Sequence, residues 1–118
     1  MQRRFLTGVL FLLGWFLSLA KAEDFFFDSG GVKIHYTVQG QGEPVVLIHG
    51  YTVSIGGNWG AVIPGLANDY QVVALDNRGH GKSDKPHEAA AYDPKLMAGD
   101  AIHLMDHLKI RKAHIVCT

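Results

Sequence analysis

This 118-residue chain has few residues that could form covalent cross-links, and it has no excess of charge of either sign. Cys117 is the only cysteine, so no internal disulfide can form, and no N-x-[ST] glycosylation site occurs. Eleven basic and eleven acidic residues give zero net charge, which argues against a nucleic-acid partner. The chain also has no internal repeat and no low-complexity stretch, which excludes a solenoid. What remains is an ordinary globular domain.

The one long apolar run lies at the N-terminus. Arg3 and Arg4 precede a mostly apolar stretch over 5–19, and Ala20-Lys21-Ala22 follows as a small-x-small cleavage site. This order is typical of a secretory signal peptide. The run is about 15 residues long, shorter than the roughly 20 that a membrane-spanning helix needs. We therefore predict a signal peptide over 1–22, cleavage after Ala22, a secreted or periplasmic product and no stable membrane span. An uncleaved N-terminal anchor is the alternative.

Residues 23–118 alternate between strand and helix patterns. The segments 25–28 and 32–38 flank the turn signal Ser29-Gly30-Gly31, which predicts a hairpin. The runs 45–48 and 70–75 are apolar, as in strands that are buried on both faces. A final apolar run over 113–118 predicts a buried strand in which Cys117 packs as a small hydrophobic residue.

Two helices are predicted between these strands. The first has an apolar stripe with Asn58 as its N-cap, and Pro64-Gly65 should make it short or bent. The second should begin near Pro94, after a cap at Asp93, and end near Lys109. Its apolar arc comprises Met97, Ala101, Leu104, Met105 and Leu108, and its opposite, solvated face comprises Asp100, His103, Asp106 and His107. His103 and His107 could bind a metal, but the H-E-x-x-H pattern fails because Leu104 stands where Glu is needed.

After the hairpin, the order is strand, helix, strand, helix, strand. This order predicts an α/β fold with parallel strands joined by right-handed crossovers.

Two loops after predicted strands could carry or support chemistry. The first is the sequence HGY over 49–51, directly after the strand 45–48. The second is DNRGHGKSDKP over 76–86, after the strand 70–75. Gly81-Lys82-Ser83 mimics the end of a phosphate-binding P-loop, but Asp76 replaces the first glycine of that motif, and Pro86 opposes a helix directly after Ser83.

These loops, together with the helix-to-strand segment 104–116, resemble the N-terminal part of the α/β-hydrolase fold family. The D-x-R-G-x-G-x-S match is the most specific of the three. The resemblance implies that the backbone N–H of Tyr51 is an oxyanion-hole donor, of the kind that stabilises negative charge on an acyl oxygen. It implies that seven residues position the loops: His49, Gly50, Asp76, Arg78, Gly79, Gly81 and Ser83.

The resemblance stops at the strand before the family's G-x-S-x-G turn, which presents the nucleophile. Cys117 stands where the first glycine is expected, and the nucleophile would be residue 119. We therefore predict that 23–118 is the N-terminal part of an α/β-hydrolase domain and that no catalytic residue is present. As given, the chain should be inactive. The alternatives are a non-catalytic truncated product and a binding module on a hydrolase scaffold. The last strand would be an unpaired edge, which predicts self-association.

For the intact protein, the resemblance implies hydrolysis of a small carboxylic ester or lactone by acyl transfer to water, without metal or cofactor. Epoxide hydrolases and dehalogenases of the family commonly have Pro shortly after His-Gly. Tyr51-Thr52-Val53 lacks it, so these activities are the further alternative.

Overall fold

The computed structural model describes residues 22–118. The predicted signal peptide lies outside the described residues, apart from Ala22. The strands are β1 Phe25–Ser29, β2 Val32–Gln39, β3 Glu43–Ile48, β4 Tyr70–Leu75 and β5 His114–Cys117. The helices are α1 Ile55–Trp59, α2 Ile63–Leu66 and α3 Pro94–His107, with a 3-10 turn over Ala89–Tyr92. In this part of the chain, no helix is long and apolar enough to cross a membrane.

The five strands form one mixed sheet in the order β1-β2-β4-β3-β5. β1 and β2 form the predicted antiparallel hairpin, and β2 also runs antiparallel to β4. β3 is parallel to both β4 and β5, which confirms the predicted α/β arrangement. Ile48 pairs with Leu75 on one side and with Cys117 on the other. The carboxyl ends of the three parallel strands therefore lie side by side at one edge of the sheet.

Both faces of the sheet are covered at β3 and β4, where alternate residues of each strand point to opposite faces. Val46 of β3 and Val73 of β4 pack with Leu104 of α3 on one face. Val45 and Leu47 pack with α1 and α2 on the other face. This two-sided burial explains why β3 is continuously apolar in the sequence.

The helix α3 begins where its sequence predicts. The Asp93 side chain accepts a hydrogen bond from the backbone N–H of Lys95 at 2.8 Å, and Pro94 occupies the first turn, where its missing N–H has no cost. Leu104 is fully buried, as the predicted apolar arc requires. The prediction for the opposite face is wrong for Asp100, which is 1% exposed because Arg78 reaches it from a loop.

The predicted first helix is two short helices, and its predicted cap is wrong. Ser54, not Asn58, caps α1 by accepting a long hydrogen bond from the N–H of Gly57 at 3.5 Å. The chain leaves the helix after Trp59 and re-enters it at Ile63, with Pro64 in the first turn of α2. Proline is tolerated there but not inside a continuous helix, which is why the stripe is divided.

The strand β5 is exposed, contrary to the prediction of a buried strand. Ile115 is 49% and Val116 40% exposed, and the Cys117 thiol is also exposed rather than packed. The reason is that β5 pairs with β3 along one edge, and within residues 22–118 no other element covers its second edge or its faces. The prediction that this strand is an edge strand is therefore correct.

Candidate functional site

Two loops lie next to each other at the carboxyl edge of the parallel strands. Residues 49–54 follow β3 and residues 76–86 follow β4. They are joined by His49, whose ring lies under the second loop, and by Asp76, which reaches the start of α1. We call them the β3 loop and the β4 loop.

Asp76 is the centre of the β4 loop. Its Oδ1 accepts a hydrogen bond from the backbone N–H of Ile55 at 2.9 Å. Its Oδ2 accepts from the N–H of Lys82 at 3.0 Å and lies 2.7 Å from Nδ1 of His35. The buried carboxylate is thus satisfied from β2, α1 and its own loop, and it fixes all three relative to one another.

The environment of Asp76 favours its charged form. Burial alone raises the pKa of this carboxyl, but the hydrogen bonds from the N–H groups of Lys82 and Ile55 and from His35 outweigh that effect. The pKa therefore lies below its ordinary value of 3.8. Asp76 serves as an anion that organises backbone donors.

Ser83 joins the β4 loop to β2 and performs no chemistry of its own. Its Oγ donates to the carbonyl oxygen of Asp76 at 2.6 Å and accepts from the backbone N–H of His35 at 2.8 Å. With its proton committed to Asp76, the hydroxyl is not available for nucleophilic attack. No helix follows Ser83 directly, since the next helical residue is in the turn Ala89–Tyr92. The P-loop interpretation is excluded by this geometry.

His49 is held in one tautomer. Its Nε2 accepts a hydrogen bond from the backbone N–H of Asn77 at 2.9 Å, so the ring proton must sit on Nδ1, which lies 2.8 Å from the carbonyl oxygen of Gly50. The Asn77 side chain completes the contact by donating from Nδ2 to the carbonyl oxygen of His49 at 3.0 Å. The neutral ring is therefore a fixed brace between the two loops. Sequence reasoning missed Asn77, which stands at the variable position of D-x-R-G.

Arg78 forms a buried ion pair with α3. Its Nε and Nη2 donate to the two carboxylate oxygens of Asp100 at 2.8 and 2.7 Å, and Nη1 donates to the carbonyl oxygen of Ala91 at 2.9 Å. The hydrogen bonds to Asp100 hold the pKa of Arg78 above its ordinary value. This bidentate pair attaches the β4 loop to the helix. In the sequence, the only signal for this ion pair was the arginine of the matched D-x-R-G motif, because a buried arginine needs an acidic partner.

The Asp100 carboxylate also connects α3 to β1. Ser29 Oγ donates to Oδ1 of Asp100 at 2.6 Å, and Nδ1 of His103 lies 2.8 Å from that hydroxyl. Since the hydroxyl has one proton, His103 is the donor in the second bond. His107 stacks on Phe27 at a centroid distance of 5.4 Å. Both histidines are nevertheless exposed, so the predicted solvated face is confirmed for His103 and His107. In the described part of the chain, no group of three or more His, Cys, Asp or Glu side chains could hold a metal.

Two glycines allow the β4 loop to close tightly. Gly79 has φ of +83°, and a Cβ there would lie 2.6 Å from the Tyr92 ring. Gly81 has φ of +51°, and a Cβ there would collide with the Asp76 carboxylate. Both positions therefore require glycine for conformation and for space.

The β3 loop is more open. The backbone N–H of Gly50 donates to Oδ1 of Asn58 at 3.0 Å. Tyr51 is 89% exposed, and among residues 22–118 its N–H makes no hydrogen bond. Thr52 has φ of +61°, in the left-handed region that favours glycine. The role of Tyr51 as an oxyanion donor stays a prediction.

The mixed sheet and the Asp76-centred loop agree with the predicted resemblance to α/β-hydrolases, and a comparison with known families gives the same result. A family model for the alpha/beta hydrolase fold matches residues 43–117. The chain belongs to the α/β-hydrolase fold family.

Individual relatives point to several hydrolytic activities. A soluble epoxide hydrolase of Corynebacterium sp. (strain C12) is 40% identical over 86 residues, which is 73% of this chain and 29% of that protein. A 2-hydroxy-6-oxo-6-(2'-aminophenyl)hexa-2,4-dienoic acid hydrolase of Metapseudomonas resinovorans is 41% identical over 86 residues, 71% of this chain and 28% of that protein. The crystal structure of an epoxide hydrolase from Vigna radiata superposes with a TM-score of 0.78 at 27% identity, covering 84% of this chain and 32% of that one. The chain thus spans less than a third of the length of these relatives.

Proposed function

We propose that this chain supplies one half of the oxyanion hole of a hydrolase that acts on carboxylic esters or lactones. The observation that carries the proposal is the β3 loop. Its Gly50 N–H is bonded to Asn58, whereas no partner for the Tyr51 N–H lies among the described residues. Within residues 22–118, the Tyr51 N–H is therefore an unbonded donor at the carboxyl edge of the sheet, where ligands of open α/β sheets bind.

The chemistry of acyl transfer explains why such a donor matters. Attack on an ester carbonyl moves negative charge onto the carbonyl oxygen, and a preorganised N–H stabilises that charge more than it stabilises the substrate. One such donor contributes roughly 3–4 kcal/mol to the transition state. The β4 loop does not touch the substrate in this proposal. It holds His49, and through His49 the loop that carries Tyr51.

The nucleophile and the base are assigned to no residue of this chain. The sequence contains no G-x-S-x-G, and the hydroxyl of Ser83 is committed within the β4 loop. We therefore expect the 118-residue chain to hydrolyse p-nitrophenyl acetate no faster than buffer. Turnover by a purified monomer that is abolished by alkylation of Cys117 would overturn this expectation and assign the nucleophile to that thiol.

Epoxide hydrolysis is the second candidate, because the soluble epoxide hydrolase and the Vigna radiata epoxide hydrolase are among the relatives. Thr52 weighs against it. Epoxide hydrolases of the family commonly have Pro shortly after His-Gly. The φ of +61° at Thr52 is one that proline cannot adopt. The β3 loop of this chain therefore follows a path that such a proline would not allow at this position.

The experiment that tests both candidates begins with the gene. The reading frame beyond codon 118 is sequenced, and its product is assayed with p-nitrophenyl acetate, a γ-lactone, styrene oxide and chloroacetate. Ester or lactone turnover supports the proposal. Turnover of the epoxide alone favours the second candidate, turnover of the haloacid alone favours dehalogenation, and a stop codon with no activity on any substrate favours a non-catalytic product.

The donor role is tested in the same product by removing one N–H. Tyr51→Pro deletes the donor, whereas the matched control Tyr51→Ala removes the ring but keeps the N–H. We expect kcat for the ester to fall about 10²–10³-fold in Y51P with little change in KM, and Y51A to stay near wild type. Equal kcat values in Y51P and Y51A would assign the oxyanion to another donor.

We also propose that the protein is exported, from the basic start, the short apolar run and the Ala20-Lys21-Ala22 site. Mass spectrometry of the protein from a secreting host tests this. A mature N-terminus at Glu23 supports export with cleavage, and an intact N-terminus in the membrane fraction supports the anchor instead.

A further inference from the structure

Asn58 contacts the segments that follow two neighbouring strands of the sheet, β3 and β5. Its Oδ1 accepts the backbone N–H of Gly50 in the β3 loop at 3.0 Å. The same oxygen accepts the hydroxyl of Thr118, the residue that follows β5, at 2.7 Å. One side-chain oxygen thus joins the loop after β3 to the end of β5.

The orientation of this amide is fixed by its partners. A backbone N–H can only donate, so the Asn58 atom facing Gly50 must be the oxygen and not the nitrogen. The oxygen has two lone pairs, and the Thr118 hydroxyl occupies the second. A flipped amide would lose the bond from Gly50, because its Nδ2 can only donate.

The helix that carries Asn58 is itself anchored to the β4 loop. The N–H of Ile55, at the start of α1, donates to Asp76, and Trp59, at its end, is buried among core residues. Asn58 lies between these two attachments. The helix α1 therefore connects the β4 loop to the β3 loop.

Gly50 shows how closely the β3 loop approaches the end of β5. A Cβ on Gly50 would lie 3.1 Å from both the carbonyl oxygen and the hydroxyl oxygen of Thr118. In addition, the N–H of Thr118 donates to the carbonyl oxygen of Ile48 at 3.4 Å. The two segments are in contact, and a small change in one would displace the other.

We propose that Asn58 is a positioning residue for the oxyanion loop. It holds the β3 loop at a fixed distance from the end of β5, and it occupies the Gly50 N–H, which leaves the Tyr51 N–H among the donors that a substrate could use. Its importance for catalysis rests on the proposed function, whereas the positioning itself can be tested without turnover.

The test is backbone amide hydrogen exchange at single-residue resolution in the 118-residue chain. Asn58→Leu keeps the size of the side chain and removes the acceptor, whereas Asn58→Asp keeps it. We expect exchange at Gly50 to accelerate at least about fivefold in N58L and to return to near wild type in N58D. Exchange at Val46 and Val73, in the centre of the sheet, should be the same in all three proteins.

Two results would overturn the proposal: equal Gly50 exchange in wild type and N58L, or an N58D that behaves like N58L. If N58L does not fold, Thr118→Val decides, because it deletes only the second bond. An unchanged Gly50 amide resonance in T118V then rejects the link to β5, and a shifted one supports it. Failure of the proposed function looks different: the exchange pattern is as expected, but kcat of the active product does not respond to Y51P.

Discussion

The β4 loop and the β3 loop lie at the same edge of the sheet, but they are fixed to very different degrees. In the β4 loop, Asp76, Arg78 and Ser83 are buried and bond to β2, α1 and α3. In the β3 loop, Tyr51 and Thr52 are exposed, and the bonds to other elements come through His49, Gly50 and Ser54. The more buried part of this site is therefore the β4 loop, and the proposed donor, the N–H of Tyr51, lies on the more exposed β3 loop.

The largest expected effect is on the attachment of the β4 loop to α3. Asp100→Asn should lower the free energy of unfolding by about 3–5 kcal/mol, because it leaves the buried guanidinium of Arg78 without its counter-ion. Asp106→Asn on the exposed side of the same helix is the control and should change it by less than about 0.5 kcal/mol. Urea unfolding followed by tryptophan fluorescence measures both. Equal effects would show that the ion pair does not hold the loop.

A smaller loss in the free energy of unfolding is expected when Asp76 is replaced by a neutral residue. Asp76→Asn should cost about 2–3 kcal/mol at pH 7, because the backbone donors of Ile55 and Lys82 lose a charged acceptor. Asp69→Asn, on the exposed turn before β4, is the matched control. If the two variants have the same urea midpoint, Asp76 is not the centre of the loop.

Low pH should weaken the hydrogen-bond network around Asp76. The pKa of Asp76 is lower in the folded chain than its ordinary value of 3.8. Its stabilising contribution is therefore fully present above that value and is lost as the pH falls through the lower folded pKa. Urea unfolding between pH 6 and pH 2.5 should show a steeper acid loss in wild type than in D76N. Parallel curves would contradict this assignment.

In the β3 loop, one substitution is expected to increase the stability of the chain and not to lower it. Thr52→Gly should stabilise the chain by about 1 kcal/mol, because glycine adopts the left-handed φ without strain. Thr52→Ala, which keeps a Cβ, should not, and Thr52→Pro should destabilise. Thermal unfolding of the three variants distinguishes these outcomes. A T52G variant that is no more stable than T52A would indicate that the loop is too mobile to store strain.

The smallest effect on folding, but a clear one on association, is expected at β5. We propose that its exposed edge pairs with a second copy of the chain, and Ile115→Lys should then lower the associated fraction in sedimentation velocity. The control is Ile102→Lys, which places the same charge on an exposed position of α3. Association that is reduced equally by both variants would point to general solubility and not to the strand edge.

Much of the framework could be predicted from the sequence because its signals are local. The apolar runs of β3 and β4, the glycines of the hairpin and the Asp93-Pro94 start of α3 each act through neighbouring residues. The DNRGHGKS run identified the family because its glycines are needed for conformation. Two of the failures share one cause. Asp100 and Cys117 were predicted from helix periodicity and strand composition, but their surroundings are set by residues distant in the sequence.

The sequence by itself determined the order of elements, the α/β class, the family and the residues of the two loops, because periodicity, turn chemistry and motif spacing are properties of the chain. Only the tertiary structure decided which side chains meet. It buried Asp100 against Arg78, fixed the tautomer of His49 through Asn77, and joined Asn58 to Gly50 and to the end of β5. These contacts depend on the sheet order, which brings the ends of β3, β4 and β5 together, and no local pattern specifies that distance.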